Sequence, residues 1–199
     1  TFENTLCNFL LCPDEMHELI NAIADYRLEY MRLLVENLHP DIIVSHDDFG
    51  SQHSLFMSPE TWHEFFKAPY TRLYRYLHDN GVLVMHHSDS FIQPIAEDIA
   101  DTGADILQGV LPTNDIPAMS RALGGRMTLM GGIDSVIDRE DASDAETARE
   151  VERVFNDYGA LRHFIPSITY GGPGSIFPKT EAAVTREIAR LNRERFGVS

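Results

Sequence analysis

The chain has 199 residues, 43% of them hydrophobic, and a formal net charge of −15; that length and composition suit a globular domain with a sizeable core. The charge excludes unspecific nucleic-acid binding, which needs Lys and Arg to displace counterions, and disfavours docking to anionic membranes. No apolar run approaches the roughly 18 residues that span a bilayer, and the two cysteines, Cys7 and Cys12, fit a reducing compartment better than a disulfide framework; a cytoplasmic protein is expected.

The chain opens Thr-Phe-Glu and soon enters a helical pattern, as if the N-terminal part of a larger domain preceded it. Cys12-Pro13-Asp14 signals a helix start, and Ile20, Ile23, Ala24, Met31, Leu34, Val35 and Leu38 follow at helical spacing. The run "DIIVS", residues 41–45, is a strand candidate. Ser58-Pro59-Glu60 opens a second helix with Ser at the cap and Pro at the first helical position. Its stripe is Trp62, Phe65, Phe66, Tyr70, Leu73 and Leu77, with a kink expected at Pro69. Asn80-Gly81 ends it, and "VLVMH" follows as a strand.

The alternation continues with a helix over 91–100, the strand "ADILQGV", a helix over 115–123 stopped by Gly124-Gly125, and the strand "MTLMGG". Ser143 and Glu146 stand at capping-box spacing before a helix, and the strand "RHFIPSI" precedes a last helix over 178–195. Five apolar strands alternating with helices predict one α/β domain, residues 1–199, with a parallel sheet covered on both faces. No Gly-x-Gly-x-x-Gly and no Walker loop appears, so a nucleotide-binding Rossmann domain lacks its fingerprint. Periodicity leaves open an unclosed doubly wound sheet or part of an eight-stranded barrel.

In either architecture ligands meet the C-terminal strand ends. Those ends carry His46-Asp47-Asp48 with Gln52, then His86-His87-Ser88-Asp89, Gln108, Gly131-Gly132 with Asp134, and finally Tyr170 before Gly171-Gly172. Plainer readings stand beside the functional ones. Asp134 suits a helix N-cap, Asp47-Asp48 suits a solvated loop, and Gly131-Gly132 suits a tight turn. Adjacent strand residues point to opposite faces, so only one of His86 and His87 can enter a central site. His87 is the expected one, with His86 left to packing. His87 and Asp89 are two apart, and His-x-Asp can supply two ligands of a divalent metal, a weak pattern alone.

The segment "DIIVSHDDFGSQHSLFMSPETWHEFFKAPYTRLYRYLHDNGVLVMHHSDS", followed by "MTLMGGID", resembles the uroporphyrinogen decarboxylase superfamily, which includes the haem-pathway decarboxylase and corrinoid-linked methyltransferases. The resemblance runs from about Pro13 to the chain end. It implies a TIM-type (β/α)8 barrel of which this chain is about the C-terminal five βα units. The methyltransferases carry a His-x-Cys-Gly segment whose His and Cys bind zinc. His87 matches that His, whereas Asp89 replaces the Cys and Ser90 the Gly; Cys7 and Cys12 match no ligand cysteine. The decarboxylase branch fits less well, because its late Gly-His-Gly segment is replaced by "SITYGGPGS".

The resemblance therefore implies a methyltransferase acting with a corrinoid protein on a metal-activated acceptor. His87 and Asp89 would hold a divalent metal, zinc among the candidates. Asp48 or Asp47 would orient substrate or accept a proton, and Tyr170 would donate a hydrogen bond. His46, Gln52, Gln108, Gly132 and Asp134 would line the substrate, and assembly into a homo-oligomer is compatible. The alternatives are decarboxylation of an acidic tetrapyrrole and a non-catalytic corrinoid-binding or scaffold subunit.

Overall fold

The computed structural model describes residues 1–169 and 174–198. Five strands lie where apolar β-branched runs stand between turn signals: β1 Ile42–His46, β2 Leu83–His87, β3 Ile106–Val110, β4 Thr128–Ile133 and β5 Phe164–Ile168. They form one parallel sheet in the order β1-β2-β3-β4-β5. A doubly wound sheet needs a reversal of strand order to place helices on both faces. Sequential right-handed crossovers put every helix on the same face, so the fold is a stretch of (β/α) barrel.

The helices are α1 Phe2–Leu11, α2 Pro13–Leu38, α3 Pro59–Trp62, α4 Ala68–Asp79, α5 Ala96–Asp101, α6 Ile116–Leu123, α7 Asp144–Tyr158 and α8 Pro178–Phe196. The first is absent from the sequence reading, because its apolar residues flank a short stretch rather than form a long stripe; Phe9 anchors it against Phe65 and Phe66. Between α3 and α4 the expected kink is a π turn, His63–Lys67. The wider turn accommodates Pro69, which has no N–H to give a regular ladder. The cap signals at Ser58 and Ser143 function as read: Ser58 accepts from Thr61 N–H, and Ser143 and Glu146 form a reciprocal capping box. Asp115, read as the first helical residue, is instead the N-cap and accepts from Ala118 N–H.

The two sheet faces are unlike. On the helix side Val84, Leu107 and Leu129 are almost wholly buried against Leu73, Ile99 and Leu123. On the other side Ile42, Val44 and Leu83 are exposed, Val44 at 57%. The expectation of strands covered on both faces thus holds on one face among the described residues. The register stacks the inner face into rows: Ile42 beside Leu83, then Val44, Met85, Ile106 and Thr128, then His46, His87, Gln108, Met130 and Ile165. The last row starts at the C-terminal ends of β1 and β2, and its polar members sit on adjacent strands.

Candidate functional site

Strand alternation decides which polar residues meet. His46 and His87 are direct register partners, with ring centroids 4.3 Å apart. His87 is 4% exposed, and its Nδ1–H donates to the amide oxygen Oε1 of Gln108, its register partner on β3. That bond leaves His87 Nε2 with its lone pair free. Gln108, expected to contact substrate, is a buried buttress for the imidazole.

The loop after β1 is anchored on both sides of Asp48. Asp47 turns to the helix face, where its Oδ2 accepts from Arg27 Nη1 at 2.9 Å and from the Tyr70 hydroxyl at 2.5 Å. Arg27 Nη2 donates to Ser45 Oγ at 2.8 Å. Burial, with Asp47 beside it, pushes the Tyr70 hydroxyl well above its ordinary pKa, so it remains a donor. Phe49 is buried edge-on to Trp62, Phe66 and Tyr70. With both neighbours pinned outward, Asp48 faces the strand ends. Its Oδ1 accepts from Asp89 N–H at 3.0 Å, and its Oδ2 lies 3.9 Å from His46 Nε2.

His46, Asp48 and His87 therefore form a group of three potential ligand atoms within 4.8 Å of one another. Asp89 is outside that group. The strand ends at His87, so the alternation that would align a residue two positions on no longer applies. Partial burial, with the Asp48 carboxylate next to it, raises the Asp89 carboxyl above its ordinary value. His86 occupies the helix face as expected, 2.7 Å from the Tyr74 hydroxyl through Nδ1. Burial pushes its pKa down to about 4 and keeps it neutral.

The other predicted residues stay apart from this group. Asp47 is held in the Arg27–Tyr70 network rather than facing the strand ends. Asp134 caps a short 3-10 turn by accepting from Val136 N–H. Gly132 has φ +84, its carbonyl accepts from Arg153, and a Cβ there would press on Phe164 and Tyr158; packing accounts for it. Gln52 is exposed in the loop after β1. Tyr170 and Gly171-Gly172 lie outside the described residues. Sequence reading missed Arg27, although a charged residue at helical spacing between Ala24 and Met31, on the buried stripe of α2, signals a buried partner.

A groove of about 820 Å³ runs over the outer helix surface beside Leu28, Lys67, Thr71 and Tyr76, and none of the strand-end group lines it. Its basic residues are already paired, Lys67 with Asp98 and Asp101 and Arg72 with Asp25. The donor chemistry lies at the sheet end instead.

Comparisons with known proteins bear on the fold and the family. A methyltransferase from Methanosarcina mazei superposes with a TM-score of 0.75 at 17% identity, over 96% of this chain and 54% of that one. The chain thus spans about half the length of that relative. A dihydropteroate synthase from Anaplasma phagocytophilum, solved with bound 6-hydroxymethylpterin-monophosphate, superposes with a TM-score of 0.59 at 18% identity, over 89% of this chain and 70% of that one. At such identities the likeness is one of fold. No curated protein matches significantly. The sequence profile described as Uroporphyrinogen decarboxylase (URO-D) matches residues 1–191. With its sequential parallel sheet and histidines at the strand ends, the chain belongs to the uroporphyrinogen decarboxylase family.

Proposed function

We propose that this chain is the C-terminal part of a methyltransferase that takes a methyl group from a corrinoid protein and passes it to an acceptor activated by a divalent metal. The observation that carries this reading is the group formed by His46, Asp48 and His87 at the strand ends. The donor chemistry fits an ion: two imidazoles and a carboxylate are a set that first-row divalent metals accept. When bound, such an ion supplies Lewis acidity that lowers the pKa of the acceptor group at neutral pH. His87, oriented by Gln108, would bind it. Asp48, fixed by the Asp89 N–H, would complete the donor set with His46 through its other oxygen. The fold likeness to a methyltransferase supports this branch of the family.

Decarboxylation of an acidic tetrapyrrole is the weaker reading. It needs cationic groups to hold several carboxylates, whereas Asp48 and Asp89 stand at this strand end and Arg27 is bound to Asp47. The test is methyl transfer from a methylated corrinoid protein, followed beside turnover of uroporphyrinogen. His87→Ala is expected to lower methyl transfer by about 10²-fold or more. Transfer and metal content both intact in that variant would end this reading, and loss of carboxylate from uroporphyrinogen would establish its rival.

A further inference from the structure

Resting on the proposal that this sheet end holds a divalent ion, we infer that its protein ligands are His46, Asp48 and His87, and that Asp89 is not one of them. The set is two nitrogens and one oxygen without a thiolate. It crosses from β2 to the end of β1, whereas the spacing in the sequence points to His87 and Asp89 on a single segment.

Four features carry the assignment. His46 and His87 are register partners, so both project from the same face at the same height. His87 Nδ1 is engaged by Gln108, which leaves Nε2 as the donor; metal-bound imidazoles commonly have their second nitrogen held this way. One Asp48 oxygen is taken by the Asp89 N–H, which turns the other toward His46. Asp89 gives that bond through its backbone N–H, and its carboxyl stands beside Asp48 but outside the group of three.

Donors of a tetrahedral ion at ordinary metal–ligand distances stand about 3.4 Å apart. The present group, within 4.8 Å, is looser than that. The His46 side chain is 59% exposed, while His87 is buried and held by Gln108. A change of rotamer at the exposed His46 would close the group on an ion without moving the strands. With three protein ligands a position stays open on the inner side of the sheet, where an acceptor can approach. Two neutral imidazoles and one carboxylate leave a divalent ion with net positive charge, and they favour borderline first-row ions such as zinc, cobalt or iron(II).

The test titrates the chelator-treated full chain with Co2+ alone, reading visible absorbance and metal content by elemental analysis. The expected result is about one Co2+ per chain, without the intense near-ultraviolet band of a cobalt–thiolate bond. His46→Ala, Asp48→Ala and His87→Ala should each abolish binding, and Gln108→Ala should weaken it about 10–100-fold. Asp89→Ala should bind within about threefold of wild type, since the backbone N–H survives that substitution. His46 is exposed, so its variant is expected to keep its fold, with circular dichroism as the check. Loss of Co2+ in Asp89→Ala with retention in His46→Ala would overturn the assignment, as would a wild-type chain that binds none. Methyl transfer is scored separately. The Co2+ pattern without transfer sinks the proposed function and leaves the ligand set standing; transfer without any bound ion sinks the ligand set and the metal activation and leaves methyl transfer itself standing.

Discussion

Asp47 and Asp48 are neighbours with opposite duties, and the difference is set by which face each side chain meets. Asp47 accepts from a half-buried guanidinium and from the buried Tyr70 hydroxyl. Removing its carboxylate leaves both donors without their partner, which costs about 2–3 kcal/mol. Asp48 is slightly more exposed, and its neighbours are Asp89 and His46 at the loop end. Asp47→Ala should therefore lower the urea midpoint clearly, whereas Asp48→Ala should leave it nearly unchanged and act on the site alone. Equal effects of the two on stability would contradict this division. His86 and His87 divide in the same way. The first is neutral and packed beside Tyr74 and Phe49, and the second is aimed at the open side of the sheet.

Among the elements, α7 is the clearest case of local chemistry setting a boundary. Ser143 accepts from the Glu146 N–H, and Glu146 accepts in return from the Ser143 N–H and hydroxyl. Those bonds, with Arg139 added, pull the Glu146 carboxyl from 4.5 down to about 2. A folded-state pKa below the unfolded value gives stability that is present above the unfolded value and is lost as pH falls through the folded one. The stability difference between wild type and Glu146→Gln should thus be constant at neutral pH, shrink below about pH 4.5 and vanish near pH 2. A difference that persisted at pH 2 would show that the carboxylate charge is not what matters. Ser143→Ala should cost about 1 kcal/mol through loss of the cap. Both effects are read from chemical denaturation.

Over the whole molecule, the exposed inner face and the two outer strands dominate. Among the described residues β1 and β5 are each paired on one side only, and Ile42, Val44 and Leu83 form an apolar patch beside β1. On α2, Leu19, Ile23, Tyr26, Tyr30 and Leu33 make a second exposed stripe. Unpaired edges next to apolar surface promote association. The 199-residue chain by itself is expected to elute as self-associated species in light-scattering chromatography, and Val44→Lys with Leu83→Lys should shift it toward monomer. A monodisperse monomer before substitution would contradict that expectation. No helix among the described residues is long and apolar enough to cross a membrane, so lipid does not explain these patches.

Much of this architecture is written locally. Hydrophobic period, caps at Ser58, Asp115 and Ser143, and the turn at Asn80-Gly81 specify alternating strands and helices, because each depends on residues within a few positions of one another. Alternation within one strand is equally local, and it separates His86 from His87. The helix α1 escaped notice because its contacts with Phe65 and Phe66 come from far along the chain. Strand order was beyond sequence as well, since periodicity is the same in a barrel and in a doubly wound sheet; the sequential pairing decides between them. The site shows the same limit. Sequence spacing joins His87 to Asp89, but register across β1 and β2 brings His46 and Asp48 to His87, and Arg27, twenty residues before Asp47, holds the loop that carries them. Sequence alone determined the elements after α1 and the polar character of their ends; which of those polar groups meet was decided by pairing between strands, a contact that no local pattern encodes.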